Sequence, residues 1–175
     1  FPAQQGAIFK TAIAAITTNQ MAALSGGQVV GLTTAQIVAL TTAQIAAMET
    51  VDVASLNDTN IAALSSAQVQ ALTTRQIIGL TTTQIKELNT TTLQALMTKQ
   101  IAALETGDIT LLGSTKVTSL SSNQLRALST AQISGLTSAQ LASLGDSAQL
   151  SQLTAKQMPG VSADNLNKLL SGVVL

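Results

Sequence analysis

One eight-residue pattern, L-T-T-x-Q-I-x-A, recurs along nearly the whole sequence, and it limits the fold to something built by repetition. Leu32-Thr33-Thr34-Ala35-Gln36-Ile37-Val38-Ala39 is followed at once by Leu40-Thr41-Thr42-Ala43-Gln44-Ile45-Ala46-Ala47. Every eighth residue from Ile8 through Leu24, Leu72 and Leu104 to Leu144 is a large aliphatic. A second aliphatic track lies five places on, from Ile13 through Ile37, Ile85 and Ile109 to Leu141. The eighth place is small (Ala39, Ala71, Gly79, Gly135), with Glu87 and Leu111 as exceptions, and small residues let neighbouring backbones approach. The fourth and seventh places vary (Ala35, Val51, Arg75, Lys99; Val38, Gln70, Lys86, Arg126), as solvent-facing positions do.

A single long helix does not fit this period. Eight residues at about 100° each overshoot two turns by about 80°, so the Leu track would spiral round the helix instead of forming one stripe. A string of very short helices does fit. In Thr33-Thr34-Ala35-Gln36, Thr followed three places later by Gln is a capping box, and Leu32 and Ile37 stand where a hydrophobic staple would. The box recurs at Thr41/Gln44, Ser65/Gln68, Thr73/Gln76, Thr81/Gln84, Ser121/Gln124, Ser129/Gln132 and Thr137/Gln140. Each octad carries its own helix start, and each start ends the helix before it.

The cap position is open by one residue. Where Glu49, Met97, Glu105 or Gly113 fills the second place, Thr50, Thr98, Thr106 or Ser114 follows, which moves the expected N-cap to the third place there. The expected fold is all-α: a solenoid of very short helices, one per octad, stacked so that Leu, Ile and Ala form a continuous aliphatic core. The rival is a β-solenoid with Thr-Thr at its corners. Against it, Ala and Gln are poor strand formers, and the two tracks are an odd number of residues apart, on opposite faces of a strand.

The sequence reads as one repeat domain over residues 1–175. Residues 1–7 form an expected partial cap, 8–144 regular octads, 145–152 a one-residue register slip around Gly145-Asp146-Ser147, and 153–175 irregular final octads. The chain closes on the apolar run Leu169 to Leu175 rather than on a polar cap. The first residue is Phe rather than Met, which points to a processed chain or a fragment.

Composition narrows the function classes. There is no Cys and no His, so thiolate and imidazole chemistry are absent, along with disulfides and zinc–sulfur sites. The abundant Ser and Thr are accounted for by capping, none standing apart from its repeat-mates. We therefore expect no enzyme, no catalytic residue and no cofactor. Charged residues are 9% of the chain with a formal net charge of zero, too little positive charge for the phosphate neutralisation of nucleic-acid binding. The same low charge gives little repulsion between copies, which leaves self-association as the expected partnership. Polar residues interrupt every apolar stretch, so no membrane insertion is expected.

Two carboxylate pairs stand out, Glu49-Thr50-Val51-Asp52 and Glu105-Thr106-Gly107-Asp108. A cation site would use their hard oxygens, but two carboxylates fall short of a calcium shell. Acidic substitution in the first turn of a helix is the favoured reading, and no metal site is assigned. A regular Thr array also raises ice or carbohydrate binding, although the Thr residues read as caps and sugar-stacking aromatics are missing.

The units Leu32–Leu40 and Leu128-Ser129-Thr130-Ala131-Gln132-Ile133-Ser134-Gly135-Leu136 resemble repeat tracts in very large secreted bacterial surface proteins. Those are labelled adhesin-like, haemagglutinin-like or haem-utilisation proteins. The resemblance implies an extracellular structural or adhesive role at the cell surface. Neutral charge, repeat-like ends and the apolar C-terminus point to a stalk or a self-assembling filament, with a binding scaffold lined by the variable fourth and seventh places as the alternative. The resemblance carries no site residues, and haem ligation finds neither His nor Cys.

Overall fold

The computed structural model describes residues 12–146, 149–161 and 163. The expected N-terminal cap, the marker Ile8 and the apolar run to Leu175 lie outside the described residues. Among the described residues there is no strand. The chain is an all-helical repeat array, and the β-solenoid reading falls.

The helices follow the octads one for one, beginning Thr18–Ala22, Gly26–Val30, Thr34–Ala39, Thr42–Ala47 and Thr50–Ser55. Each has five or six residues until the last α-helix, Ser138–Asp146, which has nine. Helices this short do not persist alone in water; packing holds them. Between one helix and the next stand two extended residues, such as Leu40 (φ −64°, ψ 140°) and Thr41 (φ −74°, ψ 158°), and together they turn a corner. Ser138–Asp146 runs past Leu144 into the register slip, where the next Gln, Gln149, comes one residue late.

Contacts divide the chain into two compact units, Phe1–Ala95 and Leu96–Leu175, and the same construction holds within each. Within each unit, helices pack against the helix three octads later. In the first unit Thr18–Ala22 lies on Thr42–Ala47 and Gly26–Val30 on Thr50–Ser55; in the second, Thr98–Ala103 lies on Ser122–Ala127. One turn of the solenoid is therefore three octads. The five-place track (Ile37, Val53, Ile61, Ile85, Ile101, Ile133) is fully buried along the axis. The Leu track (Leu40, Leu56, Leu72, Leu104) fills the corners and is almost as deep.

The small eighth place has a specific neighbour. A Cβ added to Gly79 would stand 2.2 Å from the Thr50 methyl, in the helix one coil earlier, and one on Gly135 would stand 2.5 Å from that of Thr106. Gly79 has an ordinary φ of −81°, so its requirement is space and not backbone freedom. Gly79→Ala is expected to lose about 1 kcal/mol, overpacking outweighing the entropy that Ala removes from the unfolded chain. Thr50→Ser in the same chain should restore it, and a double-mutant cycle by urea melts checks this.

This contact also corrects the expected cap shift. Glu49, Met97, Glu105 and Gly113 are themselves the N-caps, and Thr50, Thr98, Thr106 and Ser114 are the first helical residues. The third place holds Thr or Ser because it faces the adjoining coil. Thr34 Oγ1 donates to Asn60 Oδ1 at 2.9 Å, and Thr130 Oγ1 to the Lys156 carbonyl at 3.0 Å.

Candidate functional site

The polar chemistry of the core is concentrated at the corners. Each capping box foreseen from the sequence closes. At Thr73/Gln76, for instance, the Thr73 N–H donates to Gln76 Oε1 at 2.7 Å and the Gln76 N–H to Thr73 Oγ1 at 3.2 Å. The glutamine then does something a capping box does not require. Its Nε2 donates to the carbonyls of Ile45 (2.9 Å) and Met48 (2.8 Å), at the corner of the coil beneath. Those carbonyls belong to the end of helix Thr42–Ala47, where intrahelical partners run out. One side chain starts its own helix and satisfies the end of another.

The bond repeats with fixed separations of 31 and 28 residues. Gln68 reaches Ile37 and Leu40, Gln84 reaches Val53 and Leu56, and in the second unit Gln132 reaches Ile101 and Leu104. Gln140 reaches Ile109 and Leu112 in the same way. Beyond the register slip Gln157 reaches Leu125 and Leu128 over 32 and 29 residues, so the extra residue is absorbed and the ladder continues. These glutamines are buried. A signal for this was present: Glu would serve a capping box as well as Gln, but only an amide carries donors to hand across.

Where the fifth place is not Gln, neighbours compensate. Asn60 is a methylene shorter and reaches one carbonyl, Leu32, at 2.9 Å, while its Oδ1 accepts from Thr34. Thr92 turns back to donate to the Asn89 carbonyl at 2.9 Å. Asp108 Oδ2 accepts the Glu105 N–H at 3.0 Å.

Asp52 is not compensated. It is 2% exposed, and its Oδ2 is the one buried side-chain polar atom among the described residues that has no hydrogen-bond partner. Asp52 and Asp108 thus lie in a helix first turn, with Glu49 and Glu105 as the N-caps before them, and each Asp is buried at the place of the ladder amide. Burial raises the Asp52 pKa above the ordinary carboxylate value; Glu49 repulsion raises it further, against a lowering hydrogen bond from the Glu49 backbone. Asp108 is raised by burial first, with the Glu105 backbone bond opposing and Glu105 repulsion adding. A raised native pKa means that the folded chain holds these protons more tightly than the unfolded chain does. Their stabilisation is full below the unfolded value, about 3.9, and is lost as pH rises through the native values. Metal-free chain is expected to melt higher at pH 3.5 than at pH 7, and Asp52→Asn with Asp108→Asn should flatten that profile. Circular dichroism at 222 nm is the readout, since there is no Trp or Tyr.

On the outside of the first unit, a shallow groove of about 420 Å³ is lined by Met48, Glu49, Thr50, Val51, Thr73, Arg75 and Gln76. Val51 is 64% exposed at its rim. No group of three or more acidic, His or Cys side chains able to hold a metal occurs among the described residues. No helix among them is long and apolar enough to cross a membrane.

Fold and corner chemistry together define an octapeptide-repeat helical solenoid whose coils are fastened by buried glutamines. Its sequence matches the model of the ALTTAQ repeat at residues 13–50, 45–82, 101–138 and 112–146, more than half of the chain. The chain belongs to the ALTTAQ repeat family. The stretch between these matches holds Glu87 at the small place and Thr92 at the glutamine place, two departures from the repeat. No curated protein matches the sequence.

Proposed function

We propose that this chain is a non-enzymatic structural segment of a secreted bacterial surface protein, serving as a stalk or stacking end to end with copies of itself. The observation that supports the reading is where the polar groups go. The second-place hydroxyls cap helices, the fifth-place amides fasten coils, and the variable fourth and seventh places face outward with few charges. Such an array transmits position along its length, since each coil bears on its neighbours. Contacts between unlike surfaces of identical chains that do not close into a ring extend into open fibres. The secreted setting rests on the resemblance of the repeat to surface-protein tracts.

Negative-stain electron microscopy over a concentration series tests the assembly. Filaments that lengthen with concentration are expected; short particles of constant length at every concentration would remove self-assembly and leave a stalk. Protease treatment of intact cells tests the setting, with digestion expected and full protection overturning it. A second reading, an adhesive scaffold, is favoured by the groove at Glu49 and Arg75. Its mark would be a partner lost on Arg75→Ala with the fold intact.

A further inference from the structure

The unmatched carboxylate at Asp52 points to a ligand. The coil register places Asp52 above the carbonyls of Met21 and Leu24. The same separations of 31 and 28 residues take the preceding fifth-place residue, Gln44, to Ile13 and Ile16, both at 2.8 Å, and the separation of 28 takes the following one, Asn60, to Leu32. Elsewhere that pair of carbonyls receives the two protons of an amide. At Met21 and Leu24 that register brings a carboxylate instead, which when ionised has no proton to give, so acceptors face acceptors in a buried place. A buried anion among unsatisfied acceptors is strongly disfavoured unless a cation lies between them.

We propose that Asp52 Oδ2 and the carbonyls of Met21 and Leu24 bind a calcium ion, which takes the place of the missing amide and fastens the corner. Carboxylate and backbone carbonyl oxygens are the ligands a hard divalent ion takes, and carbonyls invisible to sequence inspection supply what two carboxylates alone lack. Glu49 stands three residues before Asp52 as an N-cap whose side chain makes no capping bond, so its carboxylate is free to add charge from the groove side. Water completes the shell. Arg75, which lines the same groove as Glu49, is the opposing charge and keeps the site weak. Asp108 supplies the contrast, because it has no buried oxygen left without a partner.

The test uses the whole chain stripped with EDTA and titrated with calcium chloride, followed by calorimetry and by melting at 222 nm. One saturable site per chain is expected, with a dissociation constant on the order of 0.1–1 mM and a melting temperature that rises as it fills. Asp52→Gln supplies the amide of the other coils and so folds without metal; it should weaken binding at least about tenfold and abolish the thermal response, since one decade of affinity is about 1.4 kcal/mol. Asp108→Asn should change neither, and Arg75→Ala should tighten binding. Absence of heat and of any thermal shift up to 10 mM calcium (about tenfold above the weakest affinity expected) overturns the proposal. So does an equal response in Asp52→Gln. Stabilisation by acid with none by calcium would mean that a proton, and not a metal, fills the corner.

Discussion

Gln76→Glu is expected to destabilise the first unit by about 3–5 kcal/mol at pH 7, the scale of a buried charge left without its partner. The exchange preserves shape and keeps one oxygen for the Thr73 N–H. It replaces the Nε2 that now donates to Ile45 and Met48 with a second acceptor in a nearly dry site. A capping box alone would favour Glu or treat the two alike, so the sign of the change separates local capping from cross-coil fastening. Gln76→Met removes the donors without adding charge and should cost less, about 1–3 kcal/mol. At pH 3.5, where the new carboxyl is protonated, most of the Glu defect should disappear. Urea melts followed at 222 nm measure all three. A Gln76→Glu chain within about 0.5 kcal/mol of the parent at pH 7 would sink the argument, that being the range of surface substitutions.

Asp52→Gln is expected to do the reverse. In metal-free buffer at pH 7 it should stabilise the first unit by about 1–3 kcal/mol, because it removes a buried acceptor without a partner and restores two donors to the corner beneath. The gain should shrink as pH falls, since a protonated Asp52 already carries a donor. It should shrink again with calcium, which fastens the same corner in the parent chain. A neutral or destabilising result in metal-free buffer would mean that the Met21–Leu24 corner differs from those under Gln68, Gln76 and Gln84.

Much of the fold was legible because its signals are local. A hydroxyl at one place and an amide three places later start a helix within four residues, and the two aliphatic tracks mark its buried face. The β alternative failed for the same reason: the starts recur too often to be anything but helix starts.

The misreadings came from contacts that sequence proximity does not reveal. Thr50 and Thr106 resembled shifted caps but hold the third place because their methyls meet Gly79 and Gly135 one coil away. Gln76 resembled an ordinary capping-box residue, although its other half reaches across 28 and 31 residues. Asp52 and Asp108 look alike in the chain and each takes a backbone hydrogen bond from its N-cap residue, yet only Asp52 is left with a buried oxygen that has no partner.

The sequence by itself determined the period, the helices and the buried faces, because steric preference, capping and hydrophobic pattern act within one octad. Only the tertiary structure decided that three octads make a coil, which carbonyl each amide meets and where an acceptor is left over. Those depend on how far the chain has travelled when it returns beneath itself, and that distance is set by packing between coils and not by any residue within one repeat.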